Sequence, residues 1–297
     1  MINNMKNIQT IFNEYDFNFD NEKVKNDIKE ILDNKCGENN NVEVWRKCLS
    51  MIDLTSLNST DTEEKIEKMM QKVNNFSASF SDIENVAAVC VYPALVDITK
   101  KTLTGNTKIA AVSACFPSSQ TFIEAKIAEV ALTVAAGADE IDVVISIGKF
   151  LNGQYAEVLE ELEEIKAACR EKHLKVILES GSLPTMQDVK KASILAIISG
   201  ADFIKTSTGK TEPAATPEAA FVMCRTIKEF YEKTGIKIGF KPSGGIITTG
   251  DAVKFYTIVK EILGTEWLNK DLFRLGASRL ANNLLSSIYG KEVSYFI

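Results

Sequence analysis

Short apolar segments rich in β-branched residues alternate with longer segments of helical period from about residue 50 to the end of the chain. The short segments are predicted strands, at 51–55, 86–92, 108–114, 139–145, 174–179, 201–205, 237–242 and 272–276. The helical patterns lie near 62–74, 93–104, 121–136, 154–172, 185–199, 216–234 and 248–264, with one more after 278. Near-continuous apolar strands joined by helical crossovers are typical of a parallel sheet that is buried on both faces.

Eight strand–helix units in about 240 residues match the strand number and length of an α/β protein of the (β/α)8 TIM barrel type. The competing architecture is a doubly wound open sheet, which usually carries a Gly-x-Gly-x-x-Gly segment after its first strand. The first predicted strand ends in Asp53-Leu54-Thr55, and no such segment follows it. The pattern therefore favours the barrel, in which an active site lies at the carboxyl ends of the strands.

Residues 1–41 have a different composition, because eleven of them are Asn and many of the others are charged. Four apolar residues at helical spacing, with Asp20 placed to cap the helix, are Val24, Ile28, Ile31 and Leu32. Cys36-Gly37 is predicted to end this helix and residues 38–41 to form a flexible link. A second amphipathic stretch carries Val44, Trp45, Cys48, Leu49 and Ile52. We therefore expect residues 1–49 to form a helical extension packed on a barrel domain of residues 50–297.

Charge and residue counts exclude several classes of function. With 34 Lys and Arg against 40 Asp and Glu, the net charge of -6 disfavours nucleic acid as the main partner. The single histidine, His173, excludes a His-rich metal site, and it is predicted to lie on the bottom face of the barrel. Six cysteines without a Cys-x-x-Cys pair indicate reduced thiols in a cytoplasmic protein. No signal-like or membrane-spanning apolar run is present in the sequence.

Polar side chains end several of the otherwise apolar strands. Asp53 and Thr55 end the first strand, Asp142 lies within the fourth, and Lys205 and Lys241 end the sixth and seventh. Two ammonium groups roughly 5 Å apart repel each other by about 3 kcal/mol at an effective dielectric constant of about 20. This repulsion and burial both lower a lysine pKa, while pairing with Asp142 opposes the change. A lysine with a lowered pKa is a nucleophilic amine that can form a Schiff base with a carbonyl.

The alternative interpretation is structural, with the two lysines capping helix ends or extending from the strand ends into solvent. Two lysines on consecutive strands beside a carboxylate favour the catalytic interpretation. The loops after the sixth, seventh and eighth strands add Gly209-Lys210, Ser243-Gly244-Gly245 and Gly276-Ala277-Ser278. Small residues allow backbone N–H groups to approach an anion closely, and barrels frequently bind phosphate in this corner, although tight turns also require glycine.

These segments together resemble class I deoxyribose-phosphate aldolase, in its eukaryotic-type members with an N-terminal extension. The matching segments are 51–58 (MIDLTSLN), 89–93 (VCVYP), 203–210 (FIKTSTGK), 239–245 (GFKPSGG) and 274–278 (RLGAS). They occur in the family's order and span residues 51 to about 290. FIKTSTGK and GFKPSGG together are the most specific of these matches.

The resemblance implies a role for each matching position. Lys205 is similar to the Schiff-base lysine, Lys241 to the lysine that lowers its pKa, and Asp142 to the carboxylate of the proton relay. The implied substrate-binding residues are Asp53, Thr55, Cys90 and Thr206. The implied phosphate-binding residues are Gly209, Lys210, Gly244, Gly245, Gly276 and Ser278. For Cys90, core packing is the alternative to a place in the substrate pocket.

Three positions depart from the family pattern. Many members carry Arg where this chain has Ile247, and a small hydroxyl residue where it has Arg279. Bacterial members end in a tyrosine that assists proton transfer, whereas here Tyr295 is followed by Phe296-Ile297. The phosphate contacts and the role of Tyr295 therefore do not carry over directly.

The resemblance implies a metal- and cofactor-independent enzyme that reversibly cleaves 2-deoxy-D-ribose 5-phosphate to D-glyceraldehyde 3-phosphate and acetaldehyde. Its partners are then a sugar phosphate and an aldehyde, and the sequence leaves a homo-oligomer open. Two alternatives are another Schiff-base aldolase or transaldolase barrel, and an inactive barrel that binds a phosphorylated metabolite or a partner.

Overall fold

The computed structural model describes residues 8–296, and its centre is a ring of parallel strands surrounded by helices. The strands are β1 (Ile52–Thr55), β2 (Ala88–Val91), β3 (Lys108–Val112), β4 (Glu140–Val144), β5 (His173–Ile177), β6 (Phe203–Lys205), β7 (Gly239–Lys241) and β8 (Leu275–Ala277). The predicted strands are confirmed to within a few residues. β8 extends one residue beyond its prediction and β5 begins one residue before its own.

Thirteen helices surround this sheet in the described part of the chain. They are α1 (Ile8–Asn13), α2 (Asn21–Asn39), α3 (Val42–Ser50), α4 (Glu63–Asn74), α5 (Phe76–Ser79), α6 (Val96–Thr102), α7 (Ile123–Ala135), α8 (Ile147–Leu151), α9 (Tyr155–Cys169), α10 (Met186–Ile198), α11 (Pro217–Thr234), α12 (Thr249–Leu263) and α13 (Leu280–Tyr289). Short 3-10 turns lie at Pro93–Leu95, Ser180–Ser182 and Thr265–Trp267.

The sheet closes on itself, which confirms the (β/α)8 barrel. The hydrogen-bonded strand order is β7-β6-β5-β4-β3-β2-β1-β8, and every pair is parallel. Two isolated bridges, Phe240 with Phe273 and Ser243 with Gly276, join β7 to the segment around β8. In register, Lys205 pairs with Lys241 on the neighbouring strand. The carboxyl ends of all eight strands therefore surround one mouth.

Capping residues position several barrel helices. Thr216 accepts a hydrogen bond from the backbone of Ala219, and Pro217 occupies the first position of α11. Thr248 and Asp251 form a reciprocal capping box at the start of α12. These caps satisfy N–H groups that have no partner within the helix, so the loops before these helices end at defined residues.

The described part of the N-terminal segment, residues 8–49, is mainly helical, but one predicted boundary is wrong. Asp20 caps α2 as expected by accepting from the Lys23 backbone N–H. The helix then continues through Cys36-Gly37 to Asn39, instead of ending before a flexible link over residues 38–41. The Asn39 side chain donates to Thr257 Oγ1 (3.1 Å) and accepts from Lys260 (2.8 Å). These contacts to α12 stabilise the last turn of α2, and they outweigh the cost of one glycine inside a helix, about 1 kcal/mol.

The second predicted amphipathic stretch forms α3, except that Ile52 belongs to β1. α2 packs on α11 and α12, and α3 packs on α12 and α13, so the N-terminal helices cover the outside of the barrel. No helix within residues 8–296 is long and apolar enough to cross a membrane.

Candidate active site

Asp142 joins the two strand-end lysines inside the mouth of the barrel. Its Oδ2 atom accepts hydrogen bonds from Lys205 Nζ at 2.8 Å and from Lys241 Nζ at 2.7 Å. Lys241 Nζ also lies 2.5 Å from Asp53 Oδ2. All four side chains are buried, with Lys205 2% exposed and the other three 0% exposed. The structure therefore brings together the three predicted catalytic residues and one predicted substrate-binding residue.

The two lysines differ in their number of carboxylate neighbours, and this difference separates their pKa values. Burial lowers the pKa of Lys205, and although Asp142 opposes this, nearby Lys241 adds to the lowering. Burial opposes the charged form of Lys241 as well, but Asp142 and Asp53 outweigh it and raise the pKa of Lys241. Lys205 is therefore the amine that more readily becomes a nucleophile, and Lys241 retains its proton.

A layer of charged side chains that the sequence analysis did not single out lies below this centre. Lys175 contacts Glu140, and its Nζ lies 3.2 Å from Asp142 Oδ1. Arg274 donates to Asp53 Oδ1 at 2.6 Å and to Glu140 Oε1 at 2.8 Å. We call Lys175, Glu140 and Arg274 the charged floor. The sequence contained a signal for this layer, because Glu140 and Asp142 are two residues apart and therefore share one face of a strand that is otherwise mostly apolar.

Glycines on neighbouring strands provide the space for these large side chains. A Cβ atom on Gly239 would lie 2.3 Å from the Phe203 ring, which occupies the interior beside Lys175 and Arg274. A Cβ atom on Gly276 would lie 3.1 Å from Lys241 Cε and 2.6 Å from Ser243 Oγ. Close approach therefore explains the glycine at both positions.

An apolar wall lies on the other side of the mouth. Cys90 is fully buried in a small cluster with Leu57 and Val112, against which Tyr92 and Phe116 pack. Burial raises the pKa of the Cys90 thiol. The thiol is therefore a neutral, apolar surface beside Lys205, and core packing and pocket lining are both compatible with this position.

The two predicted substrate-binding threonines make hydrogen bonds to the backbone. Thr55 Oγ1 donates to the Asp53 carbonyl at 2.8 Å at the end of β1. Thr206 is fully buried, donates to the Ser243 carbonyl at 3.3 Å and accepts from the Ser243 N–H at 3.0 Å. The Thr206 hydroxyl therefore joins the loops after β6 and β7.

The predicted phosphate corner forms where these two loops meet. Gly209 and Gly244 have positive φ angles, +75° and +84°, and a Cβ atom on Gly244 would lie 2.9 Å from Gly209 Cα. Gly245 also has a positive φ, +75°, with open space at its Cβ position. The left-handed conformation and the backbone contact both require small residues here.

Residues after β8 complete the corner in different ways. The Gly276 N–H donates to the Pro242 carbonyl at 3.0 Å, so it already has a protein partner. Ser278 is exposed immediately before α13. Lys210 is exposed, and its Nζ donates to the Leu57 carbonyl across the mouth of the barrel.

Glu179 supports the phosphate corner and was not singled out in the sequence. It is a buried non-glycine residue in the left-handed region, with φ 51°, two residues after the end of β5. Its carboxylate accepts from the Thr208 N–H at 3.1 Å and from the Thr208 hydroxyl at 2.6 Å. Thr208 Oγ1 in turn accepts from the Lys210 N–H at 3.0 Å. Glu179 therefore holds the loop that carries Gly209 and Lys210.

The remaining positions lie at the edge of the site or away from it. Ile247 is half-buried beside the loop after β7, and Arg279 is exposed at the start of α13. Tyr295 donates its hydroxyl to the Lys72 carbonyl at 2.7 Å and packs edge-on against Phe80, on the outer surface. His173 is exposed at the amino end of β5, on the bottom face as predicted.

Within residues 8–296, no group of three or more His, Cys, Asp or Glu side chains is arranged to hold a metal ion. The carboxylates of the interior are paired with lysine and arginine side chains. The site therefore offers the desolvated amine of Lys205 beside the protonated ammonium group of Lys241, with the Asp142 carboxylate between them.

Comparison with known proteins points to aldolases. The profile of the DeoC/LacD family aldolases matches residues 47–263. The chain is 42% identical over 259 residues to the deoxyribose-phosphate aldolase of Homo sapiens, covering 82% of this chain and 80% of that protein. The solved structure of the aldolase QR15 superposes with a TM-score of 0.66 and 28% identity, covering 80% of this chain and 96% of that one.

A deoxyribose phosphate aldolase from Aeropyrum pernix, described as tetrameric, shares the fold with a TM-score of 0.65 and 24% identity. It covers 88% of this chain and 96% of its own length. The family profile contains Asp53, Asp142, Lys205 and Lys241 within its matched range. The profile match and the identity to the human enzyme together place this chain in the DeoC/LacD family of aldolases.

Proposed function

We propose that this aldolase reversibly cleaves 2-deoxy-D-ribose 5-phosphate to D-glyceraldehyde 3-phosphate and acetaldehyde, through a Schiff base on Lys205. The observation that carries the proposal is the shared Asp142 oxygen, which lies 2.8 Å from Lys205 and 2.7 Å from Lys241. Lysines with opposite pKa changes in one buried site supply both a nucleophile and a proton donor.

Bond making begins at the unprotonated Lys205 amine. Its Nζ attacks the C1 aldehyde of the substrate, and loss of water leaves an iminium ion. The C3 hydroxyl then passes its proton through water to the Asp142 carboxylate, the C2–C3 bond breaks, and the electron pair of that bond enters the C1–C2 enamine. D-glyceraldehyde 3-phosphate leaves in this step.

Proton transfer completes the cycle. The Asp142–Lys241 pair delivers a proton to C2 of the enamine through water, which regenerates the iminium ion. Water then hydrolyses this ion, releases acetaldehyde and restores the Lys205 amine. A proton held by Lys241 at the Asp142 carboxylate is available only a hydrogen bond away from the Schiff-base nitrogen.

The phosphate of the substrate is proposed to bind at the corner formed by Gly209, Lys210, Gly244, Gly245 and Ser278. Support comes from the left-handed glycines, with open space beside Gly245, and from the cation on Lys210. Gly276 contributes by its small size, because its N–H is already hydrogen-bonded to Pro242.

Three further assignments belong to this proposal. Residues 1–49 are assigned to the N-terminal extension and residues 50–297 to the aldolase domain, in keeping with β1 beginning at Ile52; residues 1–7 and 297 lie outside the described residues. The reaction serves deoxynucleoside breakdown, and the protein acts in the cytoplasm as a homo-oligomer or a monomer. Six free cysteines support a reducing compartment.

Borohydride reduction in the presence of acetaldehyde tests the Schiff base. We expect one ethyl group on the peptide that contains Lys205, and none in Lys205→Met. The matched control Lys68→Met removes an exposed lysine on α4 and should keep the adduct. EDTA should leave turnover intact. No adduct, or an adduct on another peptide, contradicts the mechanism, whereas an adduct without turnover of deoxyribose phosphate points to another aldehyde substrate.

A further inference from the structure

The charged floor is an unusual way to fill a barrel of this type, whose interior layers are dominated by bulky branched side chains. Lys175 is fully buried, while Glu140 and Arg274 are 2% and 3% exposed. None of the three is needed for the steps proposed above. Because desolvated charges are costly, a buried cluster without a function would be replaced by apolar side chains at little cost or with a gain in stability.

Contacts within this interior form one continuous chain. Arg274 lies between Asp53 and Glu140, Glu140 contacts Lys175, and Lys175 contacts Asp142. Asp142 divides its two oxygens, since Oδ1 lies 3.2 Å from Lys175 while Oδ2 accepts from both strand-end lysines. The charged floor is therefore connected to Lys205 through the carboxylate of Asp142.

The charged side chains of the barrel interior do not balance when all of them are ionised. Within the described residues, the acidic members are Asp53, Glu140 and Asp142, and the basic members are Lys175, Lys205, Lys241 and Arg274. With all of them ionised, the interior carries one unmatched positive charge. Three cations balance three anions only when one basic group is neutral.

Geometry decides which group that is. Arg274 has two carboxylate partners, Lys241 has two, and Lys175 lies within 3.7 Å of three. Lys205 has Asp142 alone among these carboxylates, and the largest effects of other ionisable side chains on its pKa come from Lys241 and then from the thiol of Cys90. The group with the fewest counter-charges is the one that gives up its proton.

We propose that Lys175 and Glu140 are positioning residues that set the charge balance of the barrel interior, so that Lys205 is held as the neutral amine. This inference rests on the proposed function, because it explains how the Schiff-base lysine becomes nucleophilic. It assigns a role to two residues that act on the Lys205 nitrogen through Asp142 and make no ion pair with it. Arg274 holds Glu140 and Asp53 in place within the same balance.

Removing one cation tests the balance. In Lys175→Met, two cations face three anions, so protonation of Lys205 restores neutrality. We expect the acidic limb of the kcat/KM profile to move to higher pH and kcat/KM at pH 7 to fall by about tenfold or more, with recovery in alkaline buffer. The pH dependence of borohydride trapping on Lys205 should move in the same direction.

A double variant that also removes the charge of Glu140 separates an effect of charge balance from an effect of packing. In Lys175→Met/Glu140→Gln, two cations face two anions, and the acidic limb should return close to its wild-type position. Glu140→Gln alone should move the limb to lower pH, because an extra positive charge disfavours protonation of Lys205 further. Lys126→Met is the matched control, since it removes a buried lysine paired with Glu161 at 2.7 Å between α7 and α9 and should leave the limb unmoved.

An unmoved limb in Lys175→Met overturns the inference, as does a double variant that stays shifted like the single one. If Lys175→Met does not fold, Glu140→Gln alone tests the inference. An acidic limb of the Glu140→Gln profile that stays in place or moves to higher pH then overturns it. Absence of a Lys205 adduct in the unmodified protein would instead remove the proposed function. The two failures are therefore distinguishable.

Discussion

Glu179 and Thr208 are joined twice, because the N–H and the hydroxyl of Thr208 both donate to the carboxylate of Glu179, at 3.1 and 2.6 Å. Glu179 adopts a left-handed backbone conformation, which costs about 1–3 kcal/mol for a non-glycine residue. The two bonds place the loop after β6, with Gly209 and Lys210, at the edge of the mouth.

Replacing Glu179 with Ala should therefore weaken the binding of phosphorylated substrate. Loss of two buried hydrogen bonds corresponds to about 1–3 kcal/mol, so we expect KM for deoxyribose 5-phosphate to rise at least several-fold. The kcat/KM for free deoxyribose should change much less. Glu179→Gln keeps the side-chain shape and one acceptor oxygen, so its KM for deoxyribose 5-phosphate should lie between those of the native protein and Glu179→Ala. An equal loss on both substrates would argue against a role at the phosphate corner.

Lys241→Leu should change the pH dependence of the reaction. The pKa of Lys205 is lowered by burial and by Lys241, and removing the cation also leaves Asp142 free to hold a proton on Lys205. The pKa of Lys205 therefore rises, and the acidic limb of kcat/KM moves to higher pH. Activity should fall strongly at neutral pH and recover in part in alkaline buffer. A limb at the same pH in both proteins would contradict the coupling.

The phosphate preference should respond to Ile247 and Arg279. A well-placed charged hydrogen bond contributes about 1.5–3 kcal/mol, so Ile247→Arg should favour phosphorylated over free deoxyribose by several-fold. Arg279 is exposed at the start of α13, next to Ser278. If Arg279 supplies the charge, Arg279→Ser lowers the preference and Ile247→Arg adds little. Steady-state kinetics on both substrates measure this, and an unchanged ratio in both variants would place the phosphate elsewhere.

Asp61 should contribute to stability in a pH-dependent way. Burial favours its neutral form, but hydrogen bonds from Lys65, Asn58 and Ser56 outweigh this and lower its pKa from 3.8 to about 2. The folded pKa lies below the unfolded value, so the contribution is present above about pH 4 and is lost as the pH falls through about 2. Because its partner Lys65 is partly exposed, screening by solvent limits the contribution to about 1 kcal/mol.

Urea unfolding of the native protein and of Asp61→Asn from pH 2 to pH 6 measures this contribution. The difference in unfolding free energy between the two proteins should shrink as the pH falls. A difference that is independent of pH would show that Asp61 acts through packing alone.

Much of the architecture could be read from local patterns. Alternation of apolar strands with helical segments predicted the barrel, since burial of a parallel sheet on both faces imposes that pattern. Polar residues at strand ends predicted that Asp142, Lys205 and Lys241 would meet, because parallel strands end at the same edge. The cap at Asp20 was equally local, since it depends on a single side chain and the next turn of helix.

Other features depend on partners that are distant in sequence and meet only in the folded chain. The end of α2 is one example, since Asn39 is fixed by Thr257 on a helix more than two hundred residues away in sequence. The backbone N–H of Gly276 is another example. It donates to the Pro242 carbonyl, and is therefore not free to bind phosphate, only when β7 and β8 close the barrel.

The protonation of the interior is the clearest case. The repeating pattern alone implies that two lysines and a carboxylate share the mouth of a barrel, because parallel strands end at the same edge. Which lysine is the free amine depends on how many carboxylates lie within a few ångströms of each one. Those carboxylates, Asp53, Glu140 and Asp142, come from two strands, β1 and β4, that lie far from β6 and β7 in the sequence. Electrostatic energies add over distances in space, so only the folded chain could set them.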